Sequence, residues 1–228
     1  PHPRRVLLLG GSPAVGRELL RYPEMAVDFV ELDPELISIA TAILDDSDRA
    51  AFTVGRWTAF PEDGRRFIRQ RGGGPYDLVI LNAPAPATAG LNRYWTIEFF
   101  RELRGVLAPG GVVALSIPPS YGYVGTKMQA ASGALYQALH RTFSRVSVSA
   151  AEYGLLAASD SAIETAPIAL RLRFASRRIP TRSFHEYLLL DVFDARKVRD
   201  ATDRLASVDR VNSDRHPIAF FNTLLVWA

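Results

Sequence analysis

The chain has 228 residues, of which 48% are hydrophobic, and its 27 basic and 24 acidic side chains give a net charge of +3. This composition excludes a disordered chain, and the scattered basic residues argue against a nucleic-acid-binding surface. The absence of cysteine excludes disulfides, thiol nucleophiles and zinc–thiolate sites, and the four histidines are too dispersed to indicate a metal site.

Hydrophobic patterning predicts alternating strands and helices over the first two-thirds of the chain, followed by a closing antiparallel pair of strands. The run Val6-Leu7-Leu8-Leu9 shows no alternation, which is typical of parallel strands covered on both faces. The pattern predicts a Rossmann-like, doubly wound, mostly parallel seven-stranded α/β sheet. The predicted strands are Arg5–Leu9, Val27–Leu32, Ala51–Gly55, Tyr76–Leu81, Gly111–Ile117, Arg145–Ser149 and Gly154–Ser159. The predicted helices are Val15–Arg21, Pro34–Leu44, Glu62–Gln70, Ile97–Val106 and Lys127–Phe143.

After Ser159 the pattern changes to shorter helical segments. They are predicted near Ala162–Ala175, Phe184–Tyr187 and Ala195–Ala206. We therefore predict a Rossmann-like domain over residues 1–160 and a C-terminal helical appendage over residues 161–228 that packs on it. The apolar run Ile218–Ala228 is shorter than the ~20 residues needed to cross a bilayer, so it predicts a packed helix. We recognise no signal peptide before the first strand.

The first strand leads into a glycine turn, Gly10-Gly11-Ser12-Pro13, at the place where nucleotide-binding folds put a glycine-rich loop. Glycine lets the backbone approach a ligand closely. Glu31 follows Gly11 by twenty residues, the spacing at which an acid at the end of the second strand reaches ribose hydroxyls. Together these features predict a nucleoside pocket, whereas the glycines alone are equally compatible with a simple tight turn.

Two other acids lie near the starts of predicted helices. Asp33 precedes Pro34, an arrangement that fits a helix N-cap followed by proline at the first helical position, so a structural role is favoured for Asp33. Asp63 and Gly64 by themselves indicate a turn that starts a helix.

The segment from Tyr76 to Thr96 is a buried strand that ends in a proline-stiffened loop, where an open α/β sheet places reactive groups. Asn82 ends the strand and Ala85 follows in the loop. Tyr94 is a candidate pocket residue, although packing is the default role for an aromatic residue at the start of a helix.

These segments resemble the polyamine aminopropyltransferases, the spermidine and spermine synthases, in the glycine turn, in Glu31-Leu32-Asp33-Pro34, in Asp63-Gly64 and in the strand before the reactive loop. The resemblance covers nearly the whole chain and implies the fold of S-adenosylmethionine-dependent methyltransferases. It implies that Glu31 holds the ribose hydroxyls of decarboxylated S-adenosylmethionine and that Asp63 binds the adenine amino group. The tail after Asn212 resembles the subgroup that is fused to several transmembrane helices.

The resemblance breaks at the residues that would carry the reaction. The family has an aspartate at the position of Asn82, which deprotonates the attacking amine, and another at the position of Ala85, which holds the charge of the polyamine. A carboxamide has no usable basic site near neutral pH, and alanine carries no charge. Ser12-Pro13-Ala14 also replaces the Gly-Asp-Gly of the family.

The sequence therefore predicts a spermidine-synthase-like domain that binds an S-adenosylmethionine-type nucleoside, with aminopropyl transfer to a polyamine weak or lost. The alternatives are an S-adenosylmethionine-dependent methyltransferase and a non-catalytic ligand-sensing or scaffold domain of a membrane protein. An exposed apolar patch around Phe220, Phe221 and Leu225, or a cleft filled by Pro13 and Asn82, would favour the scaffold.

No cofactor is expected to be required, because S-adenosylmethionine or its decarboxylated form would act as a co-substrate. The expected partners are this nucleoside, a polyamine and the transmembrane segments of a longer chain. A homodimer is left open. The expected location is cytoplasmic, as the soluble domain of a membrane protein.

Overall fold

A computed structural model of the chain describes residues 3–44, 46–53, 55–71, 74–118, 124–151, 154–181 and 184–226. Its strands are β1 (Arg5–Leu9), β2 (Ala26–Glu31), β3 (Trp57–Pro61), β4 (Tyr76–Leu81), β5 (Leu107–Ile117), β6 (Arg145–Val148) and β7 (Gly154–Ser159). Its helices are α1 (Ala14–Leu20), α2 (Pro34–Ala42), α3 (Asp46–Ala51), α4 (Gly64–Arg71), α5 (Ala89–Asn92), α6 (Ile97–Val106), α7 (Thr126–His140), α8 (Pro167–Arg177), α9 (Leu188–Val192), α10 (Ala195–Ala206) and α11 (Ile218–Leu224).

The strands form a seven-stranded sheet in the order β3-β2-β1-β4-β5-β7-β6. The pairs among β1 to β5 are parallel, and β7 runs antiparallel to both β5 and β6. The predicted doubly wound, mostly parallel sheet is therefore confirmed, including its closing antiparallel pair. Because β1 lies between β2 and β4, the order of the strands reverses there, and the carboxyl ends of these three strands open onto one crevice.

The two sides of β1 belong to two different cores, which explains the absence of alternation in its sequence. Leu7 and Leu9 pack in the larger core with residues of α6 and α7, whereas Val6 and Leu8 pack with Phe29 in the smaller one. All four leucine and valine side chains of β1 are at most 2% exposed. A strand that is covered on both faces needs apolar residues at every position.

The predicted strand Ala51–Gly55 is wrong. The chain forms α3 over Asp46–Ala51, and the third strand is Trp57–Pro61. Trp57 stacks on Phe29 of the neighbouring strand, with ring centroids 5.0 Å apart, so its packing is decided by the partner strand. Val54, within the predicted strand, lies outside the described residues. In the C-terminal part, a short helix forms at Leu188–Val192 instead of the predicted Phe184–Tyr187.

Asn212 joins the C-terminal segment to the first part of the chain. Its side chain is fully buried and donates hydrogen bonds to Asn92 Oδ1 at 3.0 Å and to the Trp95 carbonyl oxygen at 2.9 Å. Its Oδ1 accepts a hydrogen bond from the Ala219 N–H at 3.0 Å. Helices α10 and α11 pack against α7. The C-terminal segment therefore packs beside the residues that follow β4, while a domain boundary at residue 160 stays a prediction.

The last described helix leaves several large apolar side chains exposed. Phe221 is 59% exposed and Leu225 is 38% exposed, whereas Phe220 is half-buried. The remaining two residues of the predicted terminal helix, Trp227 and Ala228, lie outside the described residues. Among the helices of the described ranges, none combines the length and the apolar character that crossing a membrane requires.

Arg65 is a buried cation at the start of α4, with only 4% of its surface exposed. It donates to both oxygens of Asp214, at 2.9 and 2.8 Å, and Glu102 accepts further hydrogen bonds at 2.8–3.2 Å. The Arg93 carbonyl oxygen accepts another at 3.2 Å. The guanidinium thus connects α4 with α6 and with the C-terminal segment.

This network predicts a loss of stability at acidic pH. The hydrogen bond from Arg65 lowers the pKa of Asp214, and although burial opposes the same effect at Glu102, the hydrogen bonds from Arg65 and Arg69 lower its pKa as well. A carboxyl group with a lowered pKa in the folded state stabilises the fold above its unfolded pKa and loses this contribution as pH falls through the folded pKa. We expect the free energy of unfolding, measured with urea, to decrease as pH falls below about 4.5. The decrease should be smaller in Asp214→Asn; equal pH dependence in both proteins would contradict this assignment.

Candidate functional site

The carboxyl ends of β1, β2 and β4 surround a cleft of about 340 Å³. Most of its wall is apolar, and the polar part is concentrated at the glycine turn and at the end of β2. We call this cavity the cleft. Its lining residues are Leu9, Gly10, Gly11, Val30, Glu31, Leu32, Asp33, Leu36, Gly64, Leu81, Ala83, Pro84, Leu91 and Tyr94.

The glycine turn after β1 has the backbone conformation that its sequence predicts. Gly10 and Gly11 have φ angles of +75° and +78°, in the left-handed region that favours glycine. The Gly10 N–H donates to the Val30 carbonyl oxygen at 2.8 Å, and the Gly11 N–H donates to Glu31 Oε2 at 3.0 Å. The turn is thus fastened to the end of β2 and forms one wall of the cleft.

Glu31 is the acid of the cleft whose position is fixed by two backbone donors. Besides the contact with Gly11, its Oε1 accepts a hydrogen bond from the Asp33 N–H at 3.1 Å. A carboxylate has about four acceptor positions, so those left over can receive the two hydroxyls of a ribose. Asp33 Oδ1 accepts from the Glu35 N–H at 2.9 Å, which confirms its predicted role at the start of α2, although Asp33 also lines the cleft.

Asp63 lies beside the cleft and already has three donors. Its Oδ2 accepts from the Tyr94 hydroxyl at 2.5 Å and from Arg93 Nη1 at 3.0 Å, and its Oδ1 accepts from the Arg66 N–H at 2.9 Å. Burial alone would raise the pKa of Asp63, but these hydrogen bonds and the charge of Arg93 lower it. Burial and the neighbouring carboxylate raise the pKa of Tyr94. Asp63 is therefore ionised and Tyr94 is protonated at neutral pH.

Asp63 and the adjacent Gly64 line two different cavities. Asp63 lines a shallow neighbouring groove with Leu32 and Arg66, whereas Gly64 and Tyr94 line the cleft itself. A Cβ atom at Gly64 would lie 3.3 Å from Leu9 Cδ2 and 3.5 Å from Tyr94 Cε1. The predicted contact between Asp63 and an adenine amino group stays a prediction.

Asn82 directly follows β4, and its N–H donates a hydrogen bond to the Leu9 carbonyl oxygen at 2.9 Å. Its side chain packs against the glycine turn, because a Cβ atom built on Gly11 would lie 2.2 Å from Asn82 Nδ2. Ala83 and Pro84 of this loop line the cleft, whereas Asn82 is not one of the described lining residues. The carboxamide thus contacts the glycine turn without being one of the described residues that line the cleft.

Ala85 belongs to a second pocket of about 290 Å³ on the other side of the loop. The Trp95 indole N–H donates to the Pro84 carbonyl oxygen at 3.0 Å and holds the loop between the two cavities. Ala83 lines both of them, so the two cavities are neighbours at this residue. The lining residues of the second pocket are Ala83, Ala85, Pro86, Trp95, Ser116, Ile117, Pro118 and Leu135.

The remaining acid of this region has a structural role. Asp77, near the start of β4, accepts hydrogen bonds from the backbone N–H groups of Arg4 and Arg5 at 2.8 and 2.9 Å. It lies at the opposite end of β4 from Asn82 and cannot take the place of a base in the loop.

Solved structures that resemble the fold define its class. A spermidine synthase in complex with the transition state analogue AdoDATO matches with a TM-score of 0.68 at 17% identity, covering 90% of this chain and 70% of that one. Human methyltransferase-like protein 13, in complex with SAH, matches with a TM-score of 0.54 at 16% identity, covering 92% of this chain and 86% of that one. The chain is thus an α/β protein with the Rossmann-like fold shared by spermidine synthases and methyltransferases.

The family model of the spermine/spermidine synthase domain matches residues 1–119, and the chain belongs to this family. A polyamine aminopropyltransferase of Corynebacterium efficiens is 32% identical over 121 residues, which are 52% of this chain and 23% of the relative. Polyamine aminopropyltransferase 2 of Hyperthermus butylicus is 36% identical over 114 residues, which are 49% of this chain and 37% of the relative. The matched part of the chain thus corresponds to less than half the length of these relatives.

The residues singled out from the sequence include part of the lining of the cleft and, with Ala85, one residue of the second pocket. Among the described lining residues of the cleft are Gly10, Gly11, Glu31, Gly64 and Tyr94, but not Asn82 or Asp63, and contact of any of them with a ligand stays a prediction. The second pocket depends on Ser116, Ile117 and Leu135, which the sequence patterns left unassigned. Ser116 and Ile117 could have been identified as candidates from the sequence, because they lie at the carboxyl end of a predicted strand, where this fold binds ligands.

Proposed function

We propose that the cleft binds an S-adenosylmethionine-type nucleoside and that aminopropyl transfer to a polyamine is weak or lost in this chain. The observation that carries the proposal is the Glu31 carboxylate, held by the Gly11 and Asp33 N–H groups on the wall of an open cleft. An acid at this strand end is the acceptor that a ribose diol requires. The apolar residues Leu32, Leu36 and Leu91 provide surfaces for a base.

Weak or absent aminopropyl transfer follows from the chemistry of the loop. The family resemblance places a general base at position 82, and loss of a general base typically costs about 10²–10⁴ in rate. Asn82 has no basic site, and its amide packs against Gly11. Ala85 offers no charge to an ammonium group.

A Glu31→Ala substitution tests the binding claim. The variant should bind S-adenosylmethionine, its decarboxylated form or methylthioadenosine about 10- to 100-fold more weakly, since it loses charged hydrogen bonds of about 1.5–3 kcal/mol. Isothermal titration calorimetry of each nucleoside measures this change. Glu35→Ala is the matched control, because Glu35 is exposed on the same segment and is not one of the described cleft-lining residues. The absence of heat with all three nucleosides in the unmodified chain would refute the proposal.

Methyl transfer is a second candidate function. It is favoured by the shared lining residue Ala83, because a donor in one cavity would lie near an acceptor in the neighbouring one. Methyl transfer depends more on proximity than on a strong base when the nucleophile is already deprotonated. Transfer of a labelled methyl group to an amine or hydroxyl acceptor, abolished by Glu31→Ala, would support it.

Of the two observations that would favour the scaffold alternative, one is present in the structure. Phe221 and Leu225 are exposed, as that alternative requires, but the cleft is open instead of being filled by Pro13 and Asn82. An open cleft with a fixed carboxylate favours ligand binding, either by an enzyme or by a ligand-sensing domain.

A further inference from the structure

The second pocket differs from the cleft in its chemistry. Ala85 and Ser116 are exposed, but three of its lining residues belong to the core: Trp95 and Leu135 are each 2% exposed and Ile117 is 1% exposed. These side chains are fixed by the packing of α7 and β5, so the pocket exists before any ligand arrives. Its side-chain polar groups are the Ser116 hydroxyl and the Trp95 indole, and the indole N–H is already donated to Pro84.

The segments that form the second pocket carry no negative charge. Among its described lining residues, none is an aspartate or a glutamate. The sequence also has no acid between Asp77 and Glu98, and none between Glu102 and Glu152. A polyamine is a polycation, and each ammonium group that leaves water without a carboxylate partner is destabilised.

We propose that the second pocket binds an uncharged, apolar part of a small molecule, and that this molecule occupies the place beside the nucleoside instead of a polyamine. The assignment depends on the proposed function only in that the nucleoside occupies the adjoining cleft. A volume of about 290 Å³ accommodates an alkyl chain of several carbons or one aromatic ring. Ser116 provides one hydroxyl to pair with a single polar atom of the ligand.

Two isosteric probes test the assignment. 1-Heptanol and 6-amino-1-hexanol have the same length and differ only in a terminal methyl or ammonium group. We expect 1-heptanol to bind at least about fourfold more tightly, which is the effect of burying one apolar carbon, and the unpaired ammonium should increase the difference. Putrescine should bind more weakly than 1-heptanol.

The indole resonance of Trp95 provides a local readout in ¹H–¹⁵N NMR titrations. The chain has three tryptophans, so a Trp95→Phe variant identifies the signal. Because the Trp95 N–H is hydrogen-bonded to Pro84 at the border of the two cavities, occupation of the second pocket should shift it. The probes are titrated into the full chain, first alone and then with saturating methylthioadenosine.

Ala85→Asp should reverse the preference between the probes, because it places a carboxylate in the second pocket. Ala87→Asp is the matched control: Ala87 is exposed on the same loop and is not one of the described lining residues. Ser116→Asp introduces the charge from β5 and replaces the first variant if that variant does not fold. The control should keep the preference of the unmodified chain.

The outcomes test the proposal for the second pocket and the proposal for the cleft separately. Tighter binding of 1-heptanol, reversed by Ala85→Asp only, supports the apolar assignment. Equal or tighter binding of 6-amino-1-hexanol or putrescine to the unmodified chain, or no shift of Trp95 with any probe, overturns it. The failure of methylthioadenosine to bind overturns the proposed function of the cleft and is measured separately by calorimetry.

Discussion

Replacement of Arg65 by alanine is expected to lower the free energy of unfolding by about 1.5–3 kcal/mol, the usual contribution of hydrogen bonds to charged groups. The guanidinium is 4% exposed and is shared by Asp214 and Glu102. Its removal takes from Asp214 its guanidinium partner at the junction of α4, α6 and the C-terminal segment, whereas Glu102 keeps the contact with Arg69 at 2.7 Å. Urea denaturation at neutral pH measures the change.

Arg66→Ala is the control for this experiment. Arg66 follows on the same helix, but its side chain is 65% exposed and its contact with Glu62 is 3.6 Å long. Surface ion pairs of this kind contribute about 0–1 kcal/mol. A comparable loss of stability in the two variants would mean that helix content, and not the buried network, determines the effect of Arg65.

The second large effect is expected for Gly11→Ala, which should abolish nucleoside binding and lower the free energy of unfolding by about 2–4 kcal/mol. Gly11 has a φ of +78°, and an added Cβ would lie 2.2 Å from Asn82 Nδ2 and 2.8 Å from the Asn82 carbonyl oxygen. The turn would have to move, and with it the N–H that orients Glu31. Calorimetry and urea denaturation report the two losses independently.

A second substitution separates the two causes of this loss. Asn82→Ala in the Gly11→Ala background removes the carboxamide but leaves the backbone contact and the unfavourable φ, so we expect stability to be restored only in part. Gly90→Ala serves as the control, because an added Cβ there would have Thr88 Oγ1 as its nearest neighbour, at an ordinary contact distance of 3.8 Å. Unchanged nucleoside affinity in Gly11→Ala would show that the turn does not contact the ligand.

The parts of the fold that could be predicted from the sequence are those decided locally or by the register of parallel strands. Val6-Leu7-Leu8-Leu9 indicated a doubly covered strand because both of its faces are buried in the cores. Glu31 could be placed near Gly11 because parallel neighbours end at the same edge of the sheet. Asp33 and Pro34 predict the start of α2, because aspartate is a preferred N-cap residue and proline is favoured at the first helical position.

The parts that could not be predicted depend on residues far apart in the sequence. Asp63 is paired with Tyr94, thirty-one residues away, which no local pattern encodes. The strand that contains Trp57 could not be predicted because the preceding segment has equally many strand-favouring residues, and only the packing of Trp57 on Phe29 decides between the two. The orientation of Asn82 towards Gly11 and the walls of the second pocket likewise follow from tertiary packing.

The position of Asn212 bears on how short a piece of this chain can be and still keep both cavities intact. The family match ends at residue 119, yet the Asn212 carboxamide holds Asn92 and the Trp95 carbonyl, next to the aromatic residues that line both cavities. A fragment cut at the limit of the matched block would lose this clamp as well as Leu135. We therefore expect the smallest autonomously folding unit to be longer than the block that identifies the family, so that shared sequence is a poor guide to where this protein can be divided.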